Sequence, residues 1–253
     1  MVAENLAAAG ERIAGLGGRA QLVLFPELFT TGYRRDGMDH LALAERVPEG
    51  PSLRRLAEQA RSARVAVAGT LLERDGEKVY DTAILIGPDG ELVAKYRKTH
   101  LYPAELAYFS PGDELVVASV GNSVPVGFAI CFEHAFPEIF TALALRGARL
   151  IVIPSAVPRG YEYLLDLRTR ARAQDNQVYV ASANLVGFDG ESDWCGGSAI
   201  VDPRGEVIAQ AGGEAEVEIV ATIDPGRIER ERHQEPALEH RRPELYRFQR
   251  PGG

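Results

Sequence analysis

The chain has 253 residues, of which 45% are hydrophobic and 25% are charged, and its formal net charge at pH 7 is −8. This length suits one large domain with a sizeable core, or two small ones. The acidic balance, with arginines scattered among acids, argues against nucleic acid and anionic membranes as main partners.

In chain order, the first half alternates between helical and strand patterns. Residues 3–15 have a helical pattern, and residues 51–63 have another with Pro51 near its first turn, where proline is tolerated. Short apolar runs rich in β-branched residues predict buried strands. These runs cover residues 21–25, 64–71, 79–87 and 91–96.

The second half repeats this alternation. Helices are predicted over 137–146, which lies between Pro137 and Gly147, and over 161–176. Strand patterns cover residues 124–130, 148–154 and 177–184. Strands and helices that alternate with short links predict an α/β domain in which helices cover a sheet.

The two halves also contain a faint internal repeat. Residues 83–94 align without gaps on residues 198–209, and each segment reads as strand, Pro-x-Gly turn, strand. Two pseudo-symmetric halves predict two sheets packed face to face with helices outside. The first half lacks a counterpart of the strand at 124–130, so we expect one strand to be missing before the first helix. Either the start is truncated or the protein does without this strand.

Three reactive side chains follow three predicted strands. Glu27 comes just after 21–25, Lys98 just after 91–96, and Cys131 just after 124–130. Sites in α/β sheets form outside the carboxyl ends of strands. Each residue alone is most often structural. Together, a thiol, a carboxylate base and a cation supply what acyl transfer needs.

These segments resemble the carbon–nitrogen hydrolase (nitrilase) superfamily. The resemblance runs from residue 3 to about residue 248 and is carried by three motifs, "FPELFTTGY", "YRKTHLYPAE" and "AICFEHAFPE". It implies a single domain over residues 1–253, with a C-terminal tail from about 225. The implied fold is α/β, a four-layer αββα sandwich of two pseudo-symmetric halves that here lacks its first strand.

The resemblance also implies roles for the residues of these motifs. Glu27 matches the general base, Lys98 the catalytic lysine and Cys131 the nucleophile. Glu105 matches a second glutamate, which helps to hold the lysine and the substrate, and the backbone N–H of Phe132 matches an oxyanion donor. A small linear amide would be cleaved through a cysteine thioester, with no metal and no organic cofactor.

The substrate class stays open among related reactions. The sequence Cys131-Phe132-Glu133 lies between the Cys-Tyr-Asp common in amidase-like members and the Cys-Trp-Glu frequent in nitrile-cleaving ones. The "FPE" at 136–138 favours the amidase-like branch. The alternatives, in order, are an N-carbamoyl amine or amino-acid hydrolase, a nitrilase, and a non-catalytic scaffold.

Loops at 103–110, 132–136, 155–163 and 186–196 are predicted to shape the pocket. The candidate pocket residues in these loops are Tyr102, His134, Arg159 and Trp194, and Tyr33 of the glutamate motif is a further candidate. Arg159 would suit an anionic substrate. A Cys131–His134 pair is an alternative catalytic arrangement. Cys195 is interpreted as a structural or pocket-lining thiol, and Arg172 and Asn184 as structural residues.

The remaining expectations concern location and assembly. The chain has two cysteines, no secretory signal at its start and no run of about 18 apolar residues, which together predict a cytoplasmic protein. The histidines show no metal-ligand spacing. The segment 237–248 resembles family tails that cross to a partner subunit, so we expect a homodimer or a larger homo-oligomer.

Overall fold

The computed structural model describes residues 1–33, 37–121 and 123–246. The first half forms a four-stranded sheet in the order β1-β2-β3-β4, with β1 parallel to β2 and the other pairs antiparallel. Its elements are α1 (Val2–Leu16), β1 (Leu22–Leu24), α2 (His40–Leu43), α3 (Pro51–Ala63), β2 (Ala66–Asp75), β3 (Lys78–Ile86) and β4 (Leu92–Arg97).

The second half forms a six-stranded sheet. Its elements are β5 (Val117–Ala118), β6 (Val126–Phe128), α4 (Pro137–Leu145), β7 (Leu150–Ser155), α5 (Glu162–Asn176), β8 (Tyr179–Asn184), β9 (Val186–Phe188), β10 (Asp193–Cys195), β11 (Ala199–Val201), β12 (Val207–Gln210) and α6 (Pro225–Gln234). The strand order is β12-β11-β8-β7-β6-β5, and β9 pairs with β10 in a separate hairpin.

The pairing of strands follows the internal repeat. Strands β7, β8, β11 and β12 pair in the same sequence of parallel and antiparallel contacts as β1, β2, β3 and β4. The second sheet continues beyond β7 with β6, which is parallel to it, whereas β1 is the last strand of its sheet among the described residues.

Three apolar clusters hold these elements together. One packs α1 and α3 against the first sheet and includes Ile13, Leu56 and Ile84. A second packs α4 and α5 against the second sheet. A third joins the two sheets to each other, with Leu85 on one side and Phe128 on the other. Burying one such large side chain stabilises the fold by about 1.5–3 kcal/mol.

The predicted strands and helices all appear, with ends displaced by a few residues. Strand β2 runs to Asp75 because the buried Glu73 is paired with Lys95 and Arg97 from β4, which allows an acid inside the sheet. The sequence did not predict the shorter elements α2, α6, β5, β9 and β10. No described helix combines the length and the apolar character that crossing a membrane requires.

The predicted C-terminal tail begins as part of the core. Helix α6 buries Ile228 completely in the cluster between the sheets. The side chain of Gln177, at the end of α5, donates hydrogen bonds to the carbonyl oxygens of Glu231 and Glu235. Residues 247–253 of that tail lie outside the described residues.

Candidate active site

The predicted glutamate, lysine and cysteine follow the carboxyl ends of β1, β4 and β6. A sharp turn places Glu27: its N–H donates to the carbonyl of Ser155, and the next residue, Leu28, has a left-handed φ of 48°. Thr70 Oγ1 accepts the N–H of Leu28 at 2.7 Å and fixes that turn. Segments from both sheets therefore meet at Glu27.

Lys98 bridges two glutamates in the interior. Its Nζ lies 2.7 Å from Glu27 Oε1 and 2.8 Å from Glu105 Oε1, and all three side chains are at most 1% exposed. Burial alone would discharge the ammonium, but the charges of Glu27 and Glu105 outweigh it and hold the pKa of Lys98 well above its ordinary value. Lys98 is therefore a fixed positive charge.

The hydrogen bonds of Glu105 leave little of it free. Its Oε1 also accepts the hydroxyl of Tyr33 at 2.7 Å, and its Oε2 accepts the backbone N–H of Tyr102 at 2.7 Å. Glu105 lies on a short 3-10 helix, Pro103–Ala107. Three donors thus orient this carboxylate toward Lys98, which suits a supporting role.

Glu27 accepts fewer hydrogen bonds than Glu105. Its Oε2 accepts no hydrogen bond from an N–H or a hydroxyl of the described residues. Burial raises the pKa of Glu27 above its ordinary value, and the charge of Lys98 opposes that rise. A carboxylate with a raised pKa and one oxygen that is not held by these donors is suited to accept a proton.

Cys131 opens a short 3-10 helix, Cys131–Ala135, and has a left-handed φ of 44°. The residue is partly exposed, and the backbone N–H of Ala156 favours the ionised form of its sulfur. Burial raises the pKa of the Cys131 thiol well above its ordinary value, and the charge of Glu27 adds to this, while Lys98 acts the other way. The resting group is a thiol, which needs a base when it attacks.

Glu133 ties the lysine segment to the cysteine segment. One oxygen accepts from the hydroxyls of Tyr96 and Thr99, both at 2.6 Å, and the other accepts the backbone N–H of Ile130 at 2.7 Å. Although burial favours its neutral form, these hydrogen bonds and one from His100 lower the pKa of Glu133. In the sequence, Glu133 served only to distinguish the amidase-like branch from the nitrile-cleaving one. The signal that was missed is an acid directly after a buried run.

The predicted aromatic residues fall into two groups. Phe132 packs edge-on against Tyr102, with ring centres 5.4 Å apart, and Tyr102 is half exposed. Tyr33 packs edge-on against Trp194 at 5.4 Å, and the indole Nε1 of Trp194 donates to Asp189. Tyr33 therefore links this aromatic group to Glu105.

Arg159 is already paired in the structure. Its Nε lies 2.8 Å from Asp193 Oδ2, and its Nη1 lies 3.4 Å from Glu214 Oε1. Two carboxylates balance this cation, so the geometry gives no support to a role in binding an anionic substrate. Arg159 instead holds the β10 segment in place.

His134 is buried and uncharged. Burial, followed by the charges of Arg168 and Arg172, lowers the pKa of His134 to about 3. Such a weak base does not suit the Cys131–His134 alternative. Arg172 Nε donates to the carbonyl of His134, in keeping with a structural arginine.

Asn184 and Cys195 are hydrogen-bonded to each other, and Cys195 packs near Cys131. Asn184 accepts the N–H of Val157 and donates to Cys195 Sγ and to the carbonyl of Gly196. Both cysteines are free, and they pack in the same small apolar cluster.

One further carboxyl, Asp81 on β3, was missed by the sequence analysis. Oxygens of Glu27, Asp81 and Glu105 lie within 4.8 Å of one another, a spacing that could hold a cation. Lys98 Nζ is 3.8 Å from Asp81 as well as bonded to both glutamates, so its ammonium supplies the positive charge there. The signal for Asp81 was an acid inside the apolar run "VYDTAILIG".

Comparisons with known proteins show the family of this chain. A family model described as carbon-nitrogen hydrolase matches residues 2–233. A nitrilase of Pyrococcus abyssi is 37% identical over 207 residues, which cover 81% of this chain and 77% of that protein. The omega-amidase of Homo sapiens is 36% identical over 244 residues, covering 90% and 85%.

A solved amidase from Nesterenkonia sp. AN1 is similar throughout. A cysteine-to-alanine mutant in complex with butyramide has a TM-score of 0.84 and 30% identity, covering 97% of this chain and 90% of that one. In another structure of that amidase, acrylamide has added to the active-site cysteine.

Proposed function

The chain belongs to the carbon–nitrogen hydrolase family and is an enzyme of its amidase type; on this premise we propose that it cleaves a small linear amide to a carboxylic acid and ammonia. The observation that carries the proposal is the Lys98 ammonium held between two buried glutamates beside a partly exposed cysteine. That set supplies a base, a nucleophile and a cation without a further group.

In the first step, Glu27 takes the thiol proton as the sulfur of Cys131 attacks the amide carbon. The raised pKa of the thiol makes this transfer simultaneous with attack, because a free thiolate is scarce at neutral pH. Glu27 then returns the proton to the leaving nitrogen, and ammonia departs. Glu27 then takes a proton from water as the water oxygen attacks the thioester carbon, and it gives that proton to the departing Cys131 sulfur as the acid is released.

The oxyanion formed in each attack would be held by Lys98 and by the backbone N–H of Phe132. Phe132 is in the first turn of a 3-10 helix, where N–H groups lack an acceptor from the preceding turn. A fixed ammonium and a free N–H stabilise negative charge in the transition state, each by roughly 3 kcal/mol. Glu105 and Tyr33 keep Lys98 in place for this role.

We further propose that this enzyme is a single domain with the fold of a four-layer αββα sandwich that lacks its first strand. The apolar cluster between the two sheets and the helix clusters outside them support the layers. The edge position of β1, where the second sheet has β6, supports the missing strand. A cytoplasmic location, a homodimer or larger assembly, and independence from metals and cofactors stay predictions.

The test is ammonia release from a panel of primary amides, N-carbamoyl compounds and nitriles. We expect the wild type to release ammonia from amides and Cys131→Ala to release none. Cys195→Ala is the matched control and should remain active, because Asn184 and the apolar cluster hold that thiol outside the ionised group.

Each other outcome of the panel changes the proposal. Activity confined to nitriles, as the name of one relative suggests, would keep the three residues and replace the substrate class. Activity confined to carbamoyl compounds would do the same. No activity, together with a Cys131 that iodoacetamide does not alkylate, would contradict an enzyme and favour a scaffold.

A further inference from the structure

Asp81 has an unusual position for an acid. It lies in the middle of β3, its side chain is fully buried, and its backbone carbonyl accepts the N–H of Lys98 at 2.9 Å. Neither of its carboxyl oxygens accepts a hydrogen bond from an N–H or a hydroxyl of the described residues. A buried carboxylate without donors is costly, so this group has another way of being satisfied.

The charges in the cavity do not balance if every acid is ionised. Glu27, Asp81 and Glu105 would carry three negative charges against the single positive charge of Lys98, with every side chain at most 1% exposed. Like charges this close in a dry interior disfavour ionisation, and one carboxyl then keeps its proton.

The hydrogen bonds indicate which carboxyl keeps it. Glu105 accepts from Lys98, Tyr33 and the N–H of Tyr102, and Glu27 accepts from Lys98 at 2.7 Å. These donors favour the ionised form of both glutamates. Asp81 is 3.8 Å from Lys98 Nζ and has no comparable donor, so the proton is best placed on Asp81.

The environment of Asp81 acts in the same direction. Burial raises the pKa of Asp81 well above its ordinary value, the charge of Glu27 adds to this, and Lys98 opposes it. The interaction between the two carboxyls raises the pKa of Asp81 and lowers that of Glu27, the directions expected if Asp81 is the donor. The charged groups that face Asp81 are Glu27, Lys98 and Glu105.

We propose that Asp81 is a neutral carboxylic acid in the resting enzyme and donates a hydrogen bond to the Glu27 carboxylate, which makes it a positioning residue for the general base. Lys98 holds Glu27 from one side and Asp81 holds it from the other. The proton of Asp81 stays on Asp81 throughout. Glu27 alone carries the proton from Cys131 to the leaving nitrogen. The consequence for turnover rests on the proposed function, whereas the protonation state does not.

Infrared spectroscopy tests the protonation state without any substrate. A protein labelled with ¹³C at the aspartate side-chain carboxyl is expected to show the C=O stretch of a protonated acid at neutral pH. Asp81→Asn should remove that band. Asp202→Asn is the matched control, since Asp202 is equally buried but pairs with Arg227 and accepts backbone N–H groups, and it should leave the band in place. A wild-type spectrum without the band would overturn the proposal.

Kinetics test the positioning role on the best substrate of the panel. Asp81→Ala should lower kcat by about 10- to 100-fold, the range expected for a lost hydrogen bond to a charged group, with KM nearly unchanged. Asp81→Asn is neutral, keeps a donor and should recover most of that loss. An Asn variant as impaired as Ala, although folded by thermal unfolding, would overturn the proposal, because it would show that the negative charge is needed. Wild-type rates for both variants would overturn it too.

The two experiments separate this proposal from the proposed function. If no compound of the panel is turned over, the infrared band still decides whether Asp81 is protonated. If the panel is turned over and the band is absent, the proposed function stands and the role of Asp81 does not.

Discussion

The carboxylate of Glu133 accepts the backbone N–H of Ile130 at 2.7 Å, immediately before the cysteine. Through its other oxygen Glu133 also binds Thr99, next to Lys98. One buried side chain thus fixes the distance between the segments that carry the two reactive groups, although neither group touches it.

Replacing Glu133 with glutamine should destabilise the protein and slow it. The amide has one oxygen where the carboxylate had two, and its NH₂ group would face N–H donors. We expect the free energy of unfolding to fall by roughly 2–4 kcal/mol, and kcat to fall because Cys131 is displaced. Chemical denaturation and ammonia release measure both. Glu138→Gln, at an exposed position of the same segment, is the control, and an equal loss there would contradict the prediction.

Replacing Lys98 with methionine should remove the cation that two glutamates need. At neutral pH we expect a loss of about 3–5 kcal/mol of stability, the usual effect of leaving buried charges unpaired, and no turnover. Without Lys98, the rise that burial gives to the folded pKa of Glu27 loses its main opposing charge. The deficit is therefore largest above that raised folded pKa, and it shrinks as pH falls toward the unfolded pKa and the carboxyl binds a proton.

Denaturant unfolding of the Lys98 variant over a series of pH values measures this recovery. Lys95→Met is the matched control, because Lys95 is on the same strand and pairs with Glu73 but is 39% exposed. We expect that control to lose less than about 1 kcal/mol. A deficit of Lys98→Met that does not depend on pH would contradict ionised glutamates at this site.

Replacing Tyr33 with phenylalanine should leave the ring against Trp194 and remove only the hydroxyl bonded to Glu105. A hydrogen bond to a charged group is worth about 1.5–3 kcal/mol, so kcat should fall by roughly tenfold or more as Glu105 and Lys98 loosen. Steady-state ammonia release measures it. Tyr163→Phe, at an exposed tyrosine, should have no effect; an unchanged kcat in Tyr33→Phe would show that Glu105 does not need this donor.

His134 should make the protein sensitive to mild acid. Its pKa is lowered to about 3 by burial and by nearby arginines, whereas an unfolded histidine binds a proton below about pH 6.5. Stability is therefore complete above about pH 6.5 and is lost as pH falls toward the folded value, by up to about 1.4 kcal/mol per pH unit.

The comparison of His134→Gln with the wild type isolates this contribution. Unfolding free energies between neutral and mildly acidic pH should have a smaller slope in the variant, whatever its stability at neutral pH. His240→Gln, at an exposed histidine, should keep the wild-type slope. Equal slopes in His134→Gln and the wild type would mean that His134 is protonated in the folded protein.

The sequence predicted those residues of the site that can be recognised from their immediate neighbours in the chain. Glu27, Lys98 and Cys131 each follow a short apolar run, and the end of such a run can be recognised without its partners. The repeat likewise predicted the pairing of β11 and β12, because a hairpin is a contact between neighbours in the chain.

What the sequence could not show depends on contacts between distant segments. Glu133 becomes a positioning residue through donors from a distant segment, such as Tyr96, which is 37 positions away. Arg159 was a candidate for binding an anionic substrate, but it pairs with Asp193, which is 34 positions away. An acid inside a strand, such as Asp81, shows only that something in the fold compensates for it.

The left-handed backbone of Cys131 presents the sulfur for reaction but lowers the stability of the fold. A side chain with a Cβ in that conformation costs about 1–2 kcal/mol, and only glycine adopts it freely. Between two inactive variants, Cys131→Gly should therefore unfold at a higher temperature than Cys131→Ala, the reverse of their usual order in regular structure. Threonine, although a nucleophile, is disfavoured there by its branched Cβ. The geometry that presents the sulfur thus also disfavours a branched Cβ at this position, so that among thiol and aliphatic hydroxyl nucleophiles it favours cysteine and serine over threonine.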